Sequence, residues 1–127
     1  MNADLPTYPL TAEGVEQALA ELDKGGSEDV AIRLQELGIT GLRDSDCACP
    51  IANYLLRVLP GLDEATASGD SAYLKGTEYE DLHGFQQPWD VRFHVTFPDA
   101  VSAFVEDFDA GIYPELIEKT EEVETHG

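Results

Sequence analysis

The chain is short of cations. Lysine and arginine number 7 among 127 residues, against 26 aspartates and glutamates, for a formal net charge of −19. A surface that negative repels phosphate backbones and anionic headgroups, so direct nucleic-acid binding and membrane binding are both disfavoured. Cysteine is scarce too: Cys47 and Cys49 are the whole supply, too few for a disulfide framework. No run approaches the ~20 apolar residues of a membrane-spanning helix. Residues 1–6 have neither the basic start nor the apolar stretch of a secretion signal. These absences lead us to expect a cytoplasmic protein. Catalytic motifs are also missing: there is no G-x-S-x-G turn, no phosphate-cradling glycine loop, no H-E-x-x-H pair and no internal repeat.

What remains suits one folded domain. A hydrophobic share of 43% is near the globular norm, and a chain this long buries enough surface for a core without staples. The acids are unevenly placed. Residues 31–60 hold Glu36, Asp44 and Asp46 against Arg33, Arg43 and Arg57, so that stretch is neutral. Either it is packed inside, or it is reserved for something other than solvation.

Periodicity supplies the elements. Residues 1–10, with Pro6 and Pro9, read as an extended lead-in. Val15, Ala18, Leu19 and Leu22 recur at helical spacing over residues 12–24, and Gly25-Gly26 ends that helix. Ser27 is the expected N-cap of a second helix, with Val30, Leu34 and Leu37 as its stripe and Gly38 as its stop. Pro50 opens a third, in which Ile51, Tyr54, Leu55, Val58 and Leu59 share a face. Residues 62–67 and 71–75 suggest a hairpin around Ser68-Gly69-Asp70. Residues 89–97 alternate as a half-buried strand, with Trp89, Val91, Phe93, Val95 and Phe97 on one side. Pro98-Asp99 begins a fourth helix, Gly111 ends it, and residues 113–117 add a last turn. The stretch between Gly76 and Pro88 has no period and reads as a long loop of functional length. Residues 118–127 read as an acidic flexible tail. The expected architecture is therefore a single α+β domain over 1–117, with N-terminal helices and a C-terminal helix on one face of a small antiparallel sheet.

Three candidate chemistries follow. Tyr79, Phe85 and Trp89, ringed by Glu78, Glu80, Asp81 and Asp90, suit an aromatic plug in an anionic rim that binds a protein of basic or mixed surface. The bland counterpart is that Phe85 and Trp89 cap the sheet end. Glu106, Asp107 and Asp109 with Glu13, Glu16 and Glu21 suggest rows of carboxylates, as in a nucleic-acid mimic that occupies a basic cleft. Cys47 and Cys49 offer a redox or metal reading. Cys49 sits at a helix N-terminus, which lowers a thiol pKa, while Asp44 and Asp46 act the other way. The spacing is C-x-C, not C-x-x-C, and a disulfide across it would be strained. His83 and His94 would have to complete a zinc set, yet they stand 11 positions apart and nothing brings them to the cysteines. Structural thiols are the reading we adopt, with no cofactor, no metal and no catalytic residue.

The run Gly41-Leu42-Arg43, then Asp46-Cys47-Ala48-Cys49-Pro50-Ile51-Ala52-Asn53-Tyr54-Leu55, resembles small uncharacterised proteins of actinobacteria and their phages, as does Phe108-Asp109-Ala110-Gly111-Ile112-Tyr113-Pro114-Glu115-Leu116. The resemblance covers most of 12–117. It implies a bacterial or phage cytosol and no activity, and both motifs read as structural joints: a helix start, and a helix stop with a tyrosine folded back.

Overall fold

Thr11 begins the first helix, α1 (Ala12–Ala20), by accepting the Gly14 backbone N–H on its hydroxyl at 2.9 Å. The computed structural model describes residues 6–42 and 48–117, with backbone alone at 80–82. Asp44, Asp46, Cys47 and the tail expected at 118–127 lie outside the described residues. The stripe Val15, Ala18, Leu19 and Leu22 is buried as expected, but the helix stops short of residue 24. Leu22 and Asp23 donate to Leu19 and Ala20, three residues back, and this tightening closes the element early.

In α2 (Ser27–Glu36) the cap is shifted by one residue from expectation. Gly26 is the N-cap, and Asp29 accepts the Gly26 N–H at 3.0 Å. Ser27 thus keeps its hydroxyl for the C-terminal end of the chain. It donates to Asp107 at 2.8 Å and shares a 2.6 Å hydrogen bond with the Tyr113 hydroxyl. The third helix, α3 (Pro50–Val58), starts as the sequence suggests, with Cys49 as N-cap and Pro50 at the first helical position. Six of its nine residues are buried. Much of the described part of the neutral stretch is core.

Strands β1 (Leu62–Ser68), β2 (Ser71–Leu82) and β3 (Phe85–Thr96) form an antiparallel meander in that order. The hairpin at Ser68-Gly69-Asp70 is present, with Ser68 paired to Ser71. The expected long loop between Gly76 and Pro88 is not. That stretch is strand on both sides of a two-residue turn, His83-Gly84, whose φ values of 53° and 86° make it a type I′ hairpin. Helix α4 (Asp99–Asp109) follows, then Gly111 at φ 87° and a 3-10 turn at Pro114–Leu116.

The core lies on one side of the sheet. Helix α3 packs on β1 and α1 on β3, while α2 packs against α4 and the last turn. Leu62, Ala65, Ala67, Ala72, Leu74 and Val95 are the buried apolar sheet residues of that side. Tyr113 folds back, its ring 5.4 Å from that of Phe104. Gly41 donates to the Leu116 carbonyl at 3.0 Å, so the segments entering α3 and leaving α4 are tied together. A side chain at Gly41 would collide with the backbone of Ala48, Cys49 and Pro50.

Candidate functional site

Strand β1 has seven residues, and its two neighbours have twelve each. Pairing of β1 begins at Leu62↔Gly76, and one further bond, Thr77 N–H to the Gly61 carbonyl at 2.9 Å, is the last on that side. Beyond it β2 and β3 continue alone as a two-stranded ribbon. At about 3.3 Å per residue, its five paired positions and turn project roughly 17–20 Å. Burial fades steadily along one face of β3. Val95 is 9% exposed, Phe93 and Val91 are half-buried, Trp89 is 50% exposed and Phe85 is 68% exposed. The core-facing stripe therefore carries on past the last helix that could cover it.

Register divides the expected plug into two faces. Glu78 pairs with Trp89, Tyr79 with Pro88 and Leu82 with Phe85. Successive residues of a strand face opposite ways, so Phe85 and Trp89 share the helix side while Tyr79, 63% exposed, lies on the other. Trp89 sits at the root of the ribbon, lining a shallow depression of ≈ 410 Å³ with Leu10, Thr11 and Ala12 from the start of α1. Counting outward from the turn, the Tyr79↔Pro88 pair is a non-hydrogen-bonded one, so Pro88 removes no ladder bond. By the same count the backbone polar groups of Tyr79 and Asp81 point to the side that β1 has left open.

The cysteine–histidine set is not assembled. Cys49 is 4% exposed, packed at the start of α3. His83 occupies the ribbon tip, and His94 stacks on Tyr73 with ring centroids 4.4 Å apart. Nine strand steps, from Phe85 at the turn to His94, separate the two histidines by about 30 Å. Among the described residues no cluster of three or more histidine, cysteine or acidic side chains is placed to hold a metal ion. The carboxylate rows fare unevenly: Glu13 and Glu16 are exposed, whereas Asp107 is engaged by Ser27.

Two features escaped the sequence reading. The first is internal. The Tyr54 hydroxyl donates to the Ala18 carbonyl at 2.7 Å, at the end of α1 where a helix leaves its carbonyls unpaired. Burial pushes the Tyr54 phenol well above the ordinary tyrosine range, and the neighbouring Tyr8 and Glu21 push the same way against Arg33. Burial likewise raises Tyr8, with Glu21 adding to it. The second is on the open sheet face, where Tyr73 and His94 form one cross-strand pair and Lys75 and Arg92 the next. The outward positions of Arg92 and His94 follow from the alternation, but their partners follow only once the His83-Gly84 turn is recognised.

Comparison with family models, curated proteins and solved structures gave no match. Fold and surface together define a small α+β domain from which a β-ribbon protrudes. No helix of the described residues is long and apolar enough to cross a membrane.

Proposed function

We propose that this chain is a non-catalytic docking protein of the cytoplasm, and that the β2–β3 ribbon is the part its partner grips. The observation that carries this reading is the mismatch of strand lengths. The five ribbon pairs beyond β1 add little to the core, yet they hold Phe85 and Trp89 exposed on one face and Tyr79 on the other. Aromatic side chains with few torsions to freeze are the usual anchors of protein interfaces. Glu78 and Asp90 flank Trp89, and Glu80 and Asp81 add formal negative charge, so the complementary partner has a basic or mixed surface around an apolar cleft. Tyr79 serves a second contact on the opposite side, which makes the ribbon an insert rather than a flat patch.

A mimic of nucleic acid is the competing reading, and the exposed Glu13 and Glu16 on α1 favour it. The two differ in salt response. Binding through carboxylate rows collapses between low and moderate ionic strength, whereas aromatic docking holds. The test is capture from an actinobacterial lysate, the source suggested by the sequence resemblance, across a salt series. Ribbon docking predicts that Phe85→Ala and Trp89→Ala abolish capture of the same protein and that Glu13→Gln with Glu16→Gln does not. The reverse pattern would establish the mimic instead.

A further inference from the structure

The open face of the sheet is built in rows that cross its strands, successive rows lying two residues, about 7 Å, apart. One row holds Thr66, Tyr73 and His94, and the next holds Glu64, Lys75 and Arg92. Tyr73 and His94 stack face to face with ring centroids 4.4 Å apart, and both are exposed, so the first row turns the edges of an aromatic pair outward. In the second row Lys75 stands directly across from Arg92. Like charges in that position destabilise a sheet, and a chain with 7 cations has nevertheless placed two of them there. Neither is well neutralised. Lys75 makes no ion pair with the described residues, and Arg92 reaches Asp90 only at 4.0 Å, with both groups in water. Lys24 and Arg33, by contrast, sit 3.8 Å and 3.5 Å from Glu21 and Glu36. Glu64 beside Lys75 and Asp90 beside Arg92 confine the positive potential to the gap between the two cations. These rows line a concavity of ≈ 550 Å³, a size that suits a small ligand.

We propose that this face binds a small aromatic anion. The outward edges of Tyr73 and His94 meet the face of a planar ring, and a carboxylate or phosphate sits between Lys75 and Arg92, with ring centre and anionic group about 7 Å apart. Arg92 supplies the planar fork that such groups accept, and Lys75 the point charge. A polyanion would feel the whole acidic coat. A single anion seated in the gap between Lys75 and Arg92 meets those two cations ahead of Glu64 and Asp90 on their outer sides, and acids beyond about 8 Å are largely screened at physiological salt. The site lies on the open face that also carries Tyr79, opposite Phe85 and Trp89, and it uses none of those three residues, so it stands or falls separately from ribbon docking.

The experiment is an amide-shift titration of the isotope-labelled full chain. Adenosine monophosphate and indole-3-butyrate are the two ring-plus-anion probes; adenosine and inorganic phosphate supply each half alone. At least one joint probe is expected to give saturable shifts centred on residues 73, 75, 92 and 94, at least about tenfold tighter than either half. Which joint probe binds separates a phosphate from a carboxylate ligand. Lys75→Gln combined with Arg92→Gln weakens the binding by about tenfold or more, and Tyr73→Thr, which leaves both cations in place, does so independently. Unchanged helix amides report that each variant is folded. No saturable shift with either joint probe overturns the proposal. So does equal affinity for the halves, or binding that survives both variants.

Discussion

Shortening the ribbon separates docking from stability. Replacing residues 79–88 by Asn-Gly joins Glu78 to Trp89 through a two-residue turn. The Glu78↔Trp89 pair has the same parity as Leu82↔Phe85, which flanks the present turn, so the new turn meets a hydrogen-bonded pair and the register of β2 and β3 is kept. None of the removed residues whose burial is described is buried. Treated as a loop, ten residues reduced to two save about 1.4 kcal/mol of closure entropy, from (3/2)RT ln 5. The ladder bonds of the Glu80↔Gln87 and Leu82↔Phe85 pairs, two in each, offset that by about 2 kcal/mol if each exposed bond is worth about 0.5 kcal/mol net, the low end of the usual range. Stability is therefore expected to stay within about 1.5 kcal/mol of the parent, a Tm shift of no more than roughly 6 °C. Leu74→Ala, which empties a buried position of the same sheet, is the contrast and should cost about 2–5 kcal/mol. Thermal melts followed by circular dichroism read both. A loss above about 4 kcal/mol in the shortened chain would show that the ribbon holds the fold, and the argument for docking would lose its premise.

Tyr54→Phe should cost about 1–2 kcal/mol at neutral pH by stranding the Ala18 carbonyl, and it should change the alkaline profile. A phenol whose folded pKa is raised contributes stability fully below about pH 10 and loses it as pH climbs above, by up to about 1.4 kcal/mol per unit. Melts from pH 8 to 11.5 should converge, the variant falling less steeply than the parent; parallel curves would contradict the assignment. Gly41→Ala should cost about 3 kcal/mol, because the new methyl meets backbone on the approach to α3 and not a movable side chain. A denaturant midpoint unchanged within error would refute that close approach. His83→Asn relieves a non-glycine residue at φ 53° and should raise amide protection in the ribbon about twofold with no change in Tm.

The helices were legible because burial writes its period into sequence. Val15, Ala18, Leu19 and Leu22, or Ile51, Tyr54, Leu55 and Val58, recur where they do because each stripe meets a core. Their ends were less legible. Ser27 looks like a cap, but Asp29 satisfies the Gly26 N–H and the serine hydroxyl is drawn away by Asp107 and Tyr113, which no local pattern reveals. The ribbon reads as a loop in the sequence for a related reason. Nothing covers Gln86, Gln87 and Pro88, so no alternation is imposed on them, and the turn that joins the strands uses His83 where Asn or Asp is the usual sign. Residue type marks Tyr79, Phe85 and Trp89 in the sequence; their division between two faces needs the register. Lys75 and Arg92 are seventeen positions apart, and only that same register brings them together.

Site-directed photocrosslinking addresses the central proposition most directly. A benzophenone amino acid placed at Phe85, at the far end of the ribbon, and in a second chain at Glu16 on α1, is irradiated in the same lysate. Ribbon docking predicts a discrete protein adduct from position 85 and none from position 16. An adduct from position 16 with none from position 85 would mean that the partner holds the acidic helix and that the ribbon is not the handle.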